Sequence, residues 1–144
     1  MKTKLITALL LSFVLVPALG QEVTLFDSDG SARAYIDYSQ EATIFLWDGT
    51  PVAFLKNDGR NMCVFGFNGN FLGWYEDGVI FDIKGNAVGA RKGAVSMITK
   101  IEPIKGIQKI TPIRPITSIT PIKPIFSNRW SSSSLTELLY SGKR

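Results

Sequence analysis

Five aspartates, Asp27, Asp29, Asp48, Asp77 and Asp82, are the side chains of this sequence that could do general acid or base work. Two carboxylates flanking a glycosidic bond could act as acid and base. Most of the five, however, sit in or beside turns, where Asp is favoured because its side chain bonds the backbone two residues on. Asp27-Ser-Asp29 has the alternation of a calcium loop but lacks the remaining ligands. The single cysteine, Cys63, can form no intramolecular disulfide and is expected to be a buried structural thiol. The 144 residues include no histidine, which excludes Ser-His-Asp and Cys-His catalysis and every His-containing metal site. The chain is expected to be no enzyme and to use no cofactor or metal.

The elements that would carry these groups repeat. Phe26-Asp-Ser-Asp-Gly30, Phe45-Leu-Trp-Asp-Gly49, Phe65-Gly-Phe-Asn-Gly69 and Phe81-Asp-Ile-Lys-Gly85 each lead, four residues on, to Ala34, Ala53, Gly73 or Gly89. The shared pattern is F-x-x-x-G-x-x-x-[AG], with glycines 19, 20 and 16 residues apart. Asp29-Gly30, Asp48-Gly49, Asn68-Gly69 and Lys84-Gly85 lie between β-prone runs, so each repeat is predicted to be a hairpin with a two-residue type I′ turn. Lys84 is the least suited of the four turn residues.

Alternation along the strands sorts the side chains into two faces. One face collects thirteen large residues: Phe26, Tyr35, Phe45, Trp47, Val52, Phe54, Phe65, Phe67, Leu72, Trp74, Phe81, Ile83 and Val88. These are expected to form the core, with the small residues Ala34, Ala53, Gly73 and Gly89 on the opposite face. One hairpin cannot bury its own apolar face, so the four are expected to close around a common axis. The predicted fold is all-β: a shallow eight-stranded antiparallel barrel of four hairpins with pseudo-fourfold symmetry. Trp47, Phe67 and Ile83 hold equivalent places beside their turns and are the candidate ligand-binding residues at the hairpin tips.

The four F-x-x-x-G hairpins, with Gly73-Trp-Tyr-Glu-Asp-Gly-Val-Ile80 in the third, resemble the bacterial 4-fold β-flower proteins over residues 23–94. The run Pro-Ile-Lys-Pro-Ile-Phe-Ser-Asn from Pro121 extends the resemblance into the tail. It implies a shallow symmetric barrel with an apolar inside. Its shape is similar to Tubby C-terminal-like domains, some of which bind membrane phosphoinositides, and it supplies no catalytic motif. Gly73-Trp74-Tyr75 also resembles aromatic cell-wall-binding repeats, which expose their rings to choline or glycan.

Beyond residue 95 the composition changes. Residues 21–94 hold 10 acids and 6 bases, whereas residues 95–144 hold 2 acids and 8 bases, with five of the seven prolines beyond residue 100. Ile98, Ile101, Ile104, Ile107, Ile110, Ile113, Ile116, Ile119, Ile122 and Ile125 keep strict period three. That period fits polyproline II, at three residues per turn and about 3.1 Å rise, and fits neither α-helix nor strand. Three outcomes are open for this rod. It packs on its own barrel, it docks on a partner or another copy, or it is a disordered linker. Ser134-Leu-Thr-Glu137 is a capping box opening a short helix to about Tyr140, with Trp130 as an anchor. Basic residues without interleaved aromatics argue against nucleic acid.

Lys2 and Lys4, the apolar run Leu5–Val16, Pro17 and Ala18-Leu19-Gly20 have the layout of a secretory signal peptide. No cysteine follows, so the chain is expected to be periplasmic or extracellular and not a lipoprotein. The expected organisation is a leader (1–20), a barrel (21–94), an Ile/Pro tail (95–126) and a C-terminal segment with a short helix (127–144). The function expected is a non-catalytic envelope protein engaging lipid through the apolar barrel mouth. The alternatives are an assembly protein whose tail docks on an envelope protein, and a glycan-binding module.

Overall fold

The structure is a computed structural model and describes residues 21–144; the leader expected over 1–20 lies outside the described residues. Eight strands follow in order: β1 (Glu22–Phe26), β2 (Ala32–Asp37), β3 (Thr43–Leu46), β4 (Pro51–Asn57), β5 (Met62–Gly66), β6 (Phe71–Glu76), β7 (Val79–Phe81) and β8 (Ala87–Ala90). Each pairs antiparallel with the next, and β8 returns to β1, so the sheet is a closed barrel. Closure gives every strand a neighbour on both sides. The β8–β1 seam is held by the single register pair Phe26↔Ala90, against five pairs between β1 and β2. A 3₁₀ turn, Tyr38–Gln40, links β2 to β3, with Asp37 accepting the Ser39 N–H at its start.

The turns differ from the type I′ prediction. Gly30, Gly49, Gly69 and Gly85 have φ between 77 and 93°, while the residue before each glycine does not have positive φ. Gly30 N–H donates to Asp27 O, Gly49 to Leu46, Gly69 to Gly66 and Gly85 to Asp82. This is a type I turn followed by a left-handed glycine, the bulged hairpin. The register shifts at one equivalent place in every hairpin: Leu25/Phe26, Ile44/Phe45, Val64/Phe65 and Ile80/Phe81. Only the glycine position demands positive φ, which is why Lys84 is tolerated.

The two faces of the sheet also lie opposite to expectation. Val23 and Leu25 on β1, Ala34 and Ile36 on β2, and Ile44 and Leu46 on β3 gather with Ala53, Leu55, Val64 and Ile80 in one cluster. Leu135 and Leu139, both fully buried, belong to it. They lie on α1 (Leu135–Tyr140), which touches β2, β4 and β8. A helix that touches three strands that are not neighbours, with Leu135 and Leu139 fully buried among their side chains, lies against the inner face of the barrel. The small-residue face is therefore the interior, and the small residues make room for the C-terminal segment. A Cβ at Gly89 would stand 2.7 Å from Leu135 Cδ2, and one at Gly142 2.7 Å from Gly66 Cα.

The aromatic residues, expected in the core, form the outer wall, whereas Val52, Leu72 and Val88, expected on the same face, belong to the interior cluster, because the register shift in each hairpin breaks the simple alternation. Tyr35 and Phe45 are register partners with rings stacked 5.4 Å apart, and so are Phe54 and Phe65 at 6.2 Å. Such cross-strand aromatic pairs stabilise a sheet, but on an outer wall they need a cover. Phe54, Phe65, Phe67 and Trp74 are nonetheless buried, because the chain beyond residue 98 lies over them.

Ser134 caps α1, its Oγ accepting the Glu137 N–H at 3.1 Å. Ahead of the helix, Ala87 N–H donates to Arg129 O and Ser131 N–H to Ala87 O, laying residues 129–131 along β8. Ser131 Oγ donates to Asp82 Oδ2 at 2.5 Å. Tethered this way, a helix too short to stand alone is held in the barrel.

Candidate functional site

Residues 98–127 form neither helix nor strand and run past the four hairpins in order. At each hairpin one backbone contact recurs. Lys100 N–H donates to Gly30 O (2.8 Å), Lys109 to Gly49 (2.9 Å), Ser118 to Gly69 (2.9 Å) and Ser127 to Gly85 (3.0 Å). The donors are spaced nine residues apart, three turns of the isoleucine period. Two residues before each donor comes a carbonyl, of Ile98, Ile107, Ile116 or Ile125. It lies within 3.0 Å of where a Cβ on the matching glycine would stand. The four glycines thus serve twice, giving the left-handed turn and the close approach of a second backbone.

A second set of contacts has the same spacing. Lys105 Nζ lies 4.3 Å from the Tyr35 ring centre, Arg114 Cζ 4.4 Å from Phe54, and Lys123 Nζ 4.8 Å from Phe126. Lys105 pairs with Glu22, Arg114 with Glu41, and Lys123 with Glu76 at 2.6 Å. Each cation is thus stacked on a ring and neutralised by an acid, two favourable terms for a partly desolvated charge. Burial lowers the pKa of the Arg114 guanidinium, with Glu41 acting the other way. Gln108 Nε2 donates to Asp37 Oδ2 at 2.7 Å, and Lys109 Nζ to Thr50 Oγ1 at 3.1 Å. Burial acts to raise the Asp37 pKa, but hydrogen bonds from Ser39 and Gln108 outweigh it, and the carboxyl sits below its ordinary 3.8.

The polar and proline columns of the tail therefore face the barrel, and the isoleucines do not. All ten are 84–97% exposed. An extended chain bound through two of its three columns must present the third outward. The result is an apolar ridge that follows the tail around the barrel.

The three candidate tip residues fall into three environments. Trp47 is half-buried under the tail: its Nε1 donates to Pro103 O at 3.1 Å and its carbonyl accepts Gly106 N–H. Phe67 is buried against Phe54. Ile83 is 57% exposed. The four turn glycines stand out in the sequence for their turns and not for docking, and Lys105, Arg114 and Lys123, which also carry the docking, do not stand out in it. Their signal was present: Pro103, Pro112 and Pro121, like the three cations, recur every nine residues.

The candidate acids are bound into turns. Asp27 Oδ1 accepts the N–H groups of Asp29 and Ser31, Asp48 Oδ1 that of Thr50, and Asp82 Oδ1 those of Lys84 and Asn86. The hydrogen bond from the Thr50 N–H holds the Asp48 carboxyl below its ordinary pKa. Burial pushes the Cys63 thiol up to about 11. Among the described residues no group of three or more Cys, Asp or Glu could hold a metal ion. A cleft of about 460 Å³ beside β7 and β8 is lined by Val79, Phe81, Ala87, Ala94, Val95, Ser96, Ser127, Asn128 and Trp130, none of them charged.

Residues 23–139 match the family described as 4-fold beta flower protein. The chain belongs to the 4-fold β-flower family. The match takes in barrel, tail and helix together, so in the β-flower family the tail and helix fall within the matched region. No curated protein and no solved structure matches the chain.

Proposed function

We propose that this β-flower protein is an exported, non-catalytic interaction protein of the envelope, and that its contact surface is the isoleucine ridge of residues 98–125. One observation carries the reading: all ten isoleucines are 84–97% exposed although the tail that bears them is docked. Covering such a side chain fully is worth about 1.5–3 kcal/mol, which at about 25 cal/mol per Å² corresponds to roughly 60–120 Å² each. Ten of them offer roughly 600–1,200 Å², beyond the few hundred Å² of apolar patch that monomers ordinarily expose. Export rests on the layout of residues 1–20.

A protein surface suits the ridge better than a lipid at the barrel mouth. Leu135 and Leu139 already fill the apolar interior that a lipid chain would enter. Glycan binding loses support because the outer-wall rings, Trp47 included, lie under the tail.

The test is site-specific photo-crosslinking of the full chain in its own envelope. A photoreactive side chain in place of Ile104 or Ile113 is expected to capture protein, and one in place of Thr111, on a barrel-facing column, to capture none. Equal yields at all three positions, or none at any, would remove the reading.

A further inference from the structure

We infer that the partner of the isoleucine ridge is a second copy of the same chain, so that β-flower barrels associate side by side through their tails. This rests on the ridge being the contact surface and goes on to identify what meets it.

The first argument is shape. The tail passes all four hairpins of a closed barrel in order, so its ridge faces outward in several directions. A single flat partner, including a bilayer surface, covers only the part turned toward it. Several copies placed around one barrel cover the rest. A standard interface buries about 800 Å² per partner. The ridge approaches that area only when summed around the barrel, so each single contact is smaller than a standard interface and association builds up through several neighbours.

The second argument is self-complementarity. Contact between two like surfaces requires one patch to fit itself. In an extended chain with a rise of about 3.1 Å per residue, an isoleucine at every third position recurs about every 9 Å. The gap between two such knobs admits a third, so two ridges offset by half a repeat interdigitate. The fit needs no second type of surface.

The third argument is charge. Lys105, Arg114 and Lys123 would repel their counterparts on another copy. Each is instead drawn back onto its own barrel, to Glu22, Glu41 and Glu76. The same contacts occupy these three cations and Lys109 is bonded to Thr50 of its own barrel, which leaves Lys100, at one end of the ridge, as the ridge cation not held to a barrel side chain among the described residues. Two ridges meet as apolar surfaces.

The experiment is sedimentation of the mature full-length chain over a wide concentration range, beside a variant carrying Ile101→Ser, Ile104→Ser, Ile110→Ser and Ile113→Ser. The native chain is expected to self-associate and the variant to associate roughly a hundredfold more weakly. At concentrations where both chains are monomeric the melting temperature of the variant should match the native one, since these side chains do not touch the barrel. A native chain that stays monomeric throughout overturns the inference, and so does a variant that associates as well as the native chain. Crosslinking at position 104 separates the two levels. Capture of a different protein with no self-crosslink overturns self-association and leaves the contact surface standing. No capture at all removes both.

Discussion

The carbonyl oxygen of Ile107 occupies the place where a side chain on Gly49 would begin: an ideal Cβ there would stand within 3.0 Å of it. Gly49 also has φ of +93°. Gly49→Ala therefore incurs two costs. The left-handed backbone costs about 1–2 kcal/mol for a residue with a Cβ, and the tail must additionally shift off the hairpin. Gly59, at φ +100° with nothing within 4 Å of its Cβ position, isolates the first cost. Gly59→Ala should lose about 1 kcal/mol in urea unfolding, and Gly49→Ala clearly more. Equal losses would mean that the tail does not bear on the hairpin.

Burial separates two sets of aliphatic residues in the C-terminal third. Leu135→Ala and Leu139→Ala each empty part of the barrel interior and should cost about 2–5 kcal/mol. Ile104→Ser or Ile113→Ser, at exposed positions, should stay within about 0.5 kcal/mol of the parent in the same urea titration. A large loss at either isoleucine would place its side chain against the protein.

These contrasts show what the sequence disclosed and what it concealed. The hairpins were legible because Phe and Gly recur at fixed separation, and the helix because Ser134 and Glu137 bracket its first turn. Alternation also separated the aromatic residues from Ala34, Ala53, Gly73 and Gly89. It could not say which set faces inward, since both sides of this sheet are covered. The deciding fact is tertiary: Leu135 and Leu139 need the space that small residues leave. The outward turn of the isoleucines was hidden for a related reason. Apolar content alone points a column inward, but here four backbone hydrogen bonds and three ion-paired cations hold the other two columns to the barrel.

Acid should loosen the tail. Asp37 is held below its ordinary 3.8 by bonds from Ser39 and Gln108 that outweigh the effect of burial. Asp27 is lowered as well, burial being outweighed by the Arg33 side chain and backbone N–H groups. A carboxylate depressed in the folded state contributes stability above its unfolded pKa, and that contribution is lost as pH falls through the folded value. Unfolding midpoints should be level from neutral pH to about 5 and fall progressively below about 4. Asp37→Asn should flatten that fall. An identical acid profile for the variant would exclude Asp37 as a source.

Cys63 offers a direct reporter of the covered wall. It is fully buried beside Phe54 and Trp74, and burial raises its pKa to about 11. A maleimide at about pH 8 should leave the native thiol largely unmodified and label it fully in urea. In Gly69→Ala, where a Cβ would meet the carbonyl of Ile116, labelling should accelerate. Rapid labelling of the native chain would contradict the burial.

The stacked cations should be coupled to their rings and acids as units. Arg114→Ala removes a group that lies 4.4 Å from the Phe54 ring centre and pairs with Glu41. A double-mutant cycle with Phe54→Leu should return about 0.5–1 kcal/mol of interaction energy. A coupling of zero would mean that the guanidinium rests on the wall without being held by it.

The sheet of this barrel is apolar on both sides, and both covers, the tail outside and α1 inside, come from residues 98–140. A chain that has emerged only as far as β8 holds every strand but leaves both of its surfaces wet. Folding is thereby timed to the last third of synthesis. Until those residues arrive, the nascent polypeptide has little reason to settle, and it remains threadable.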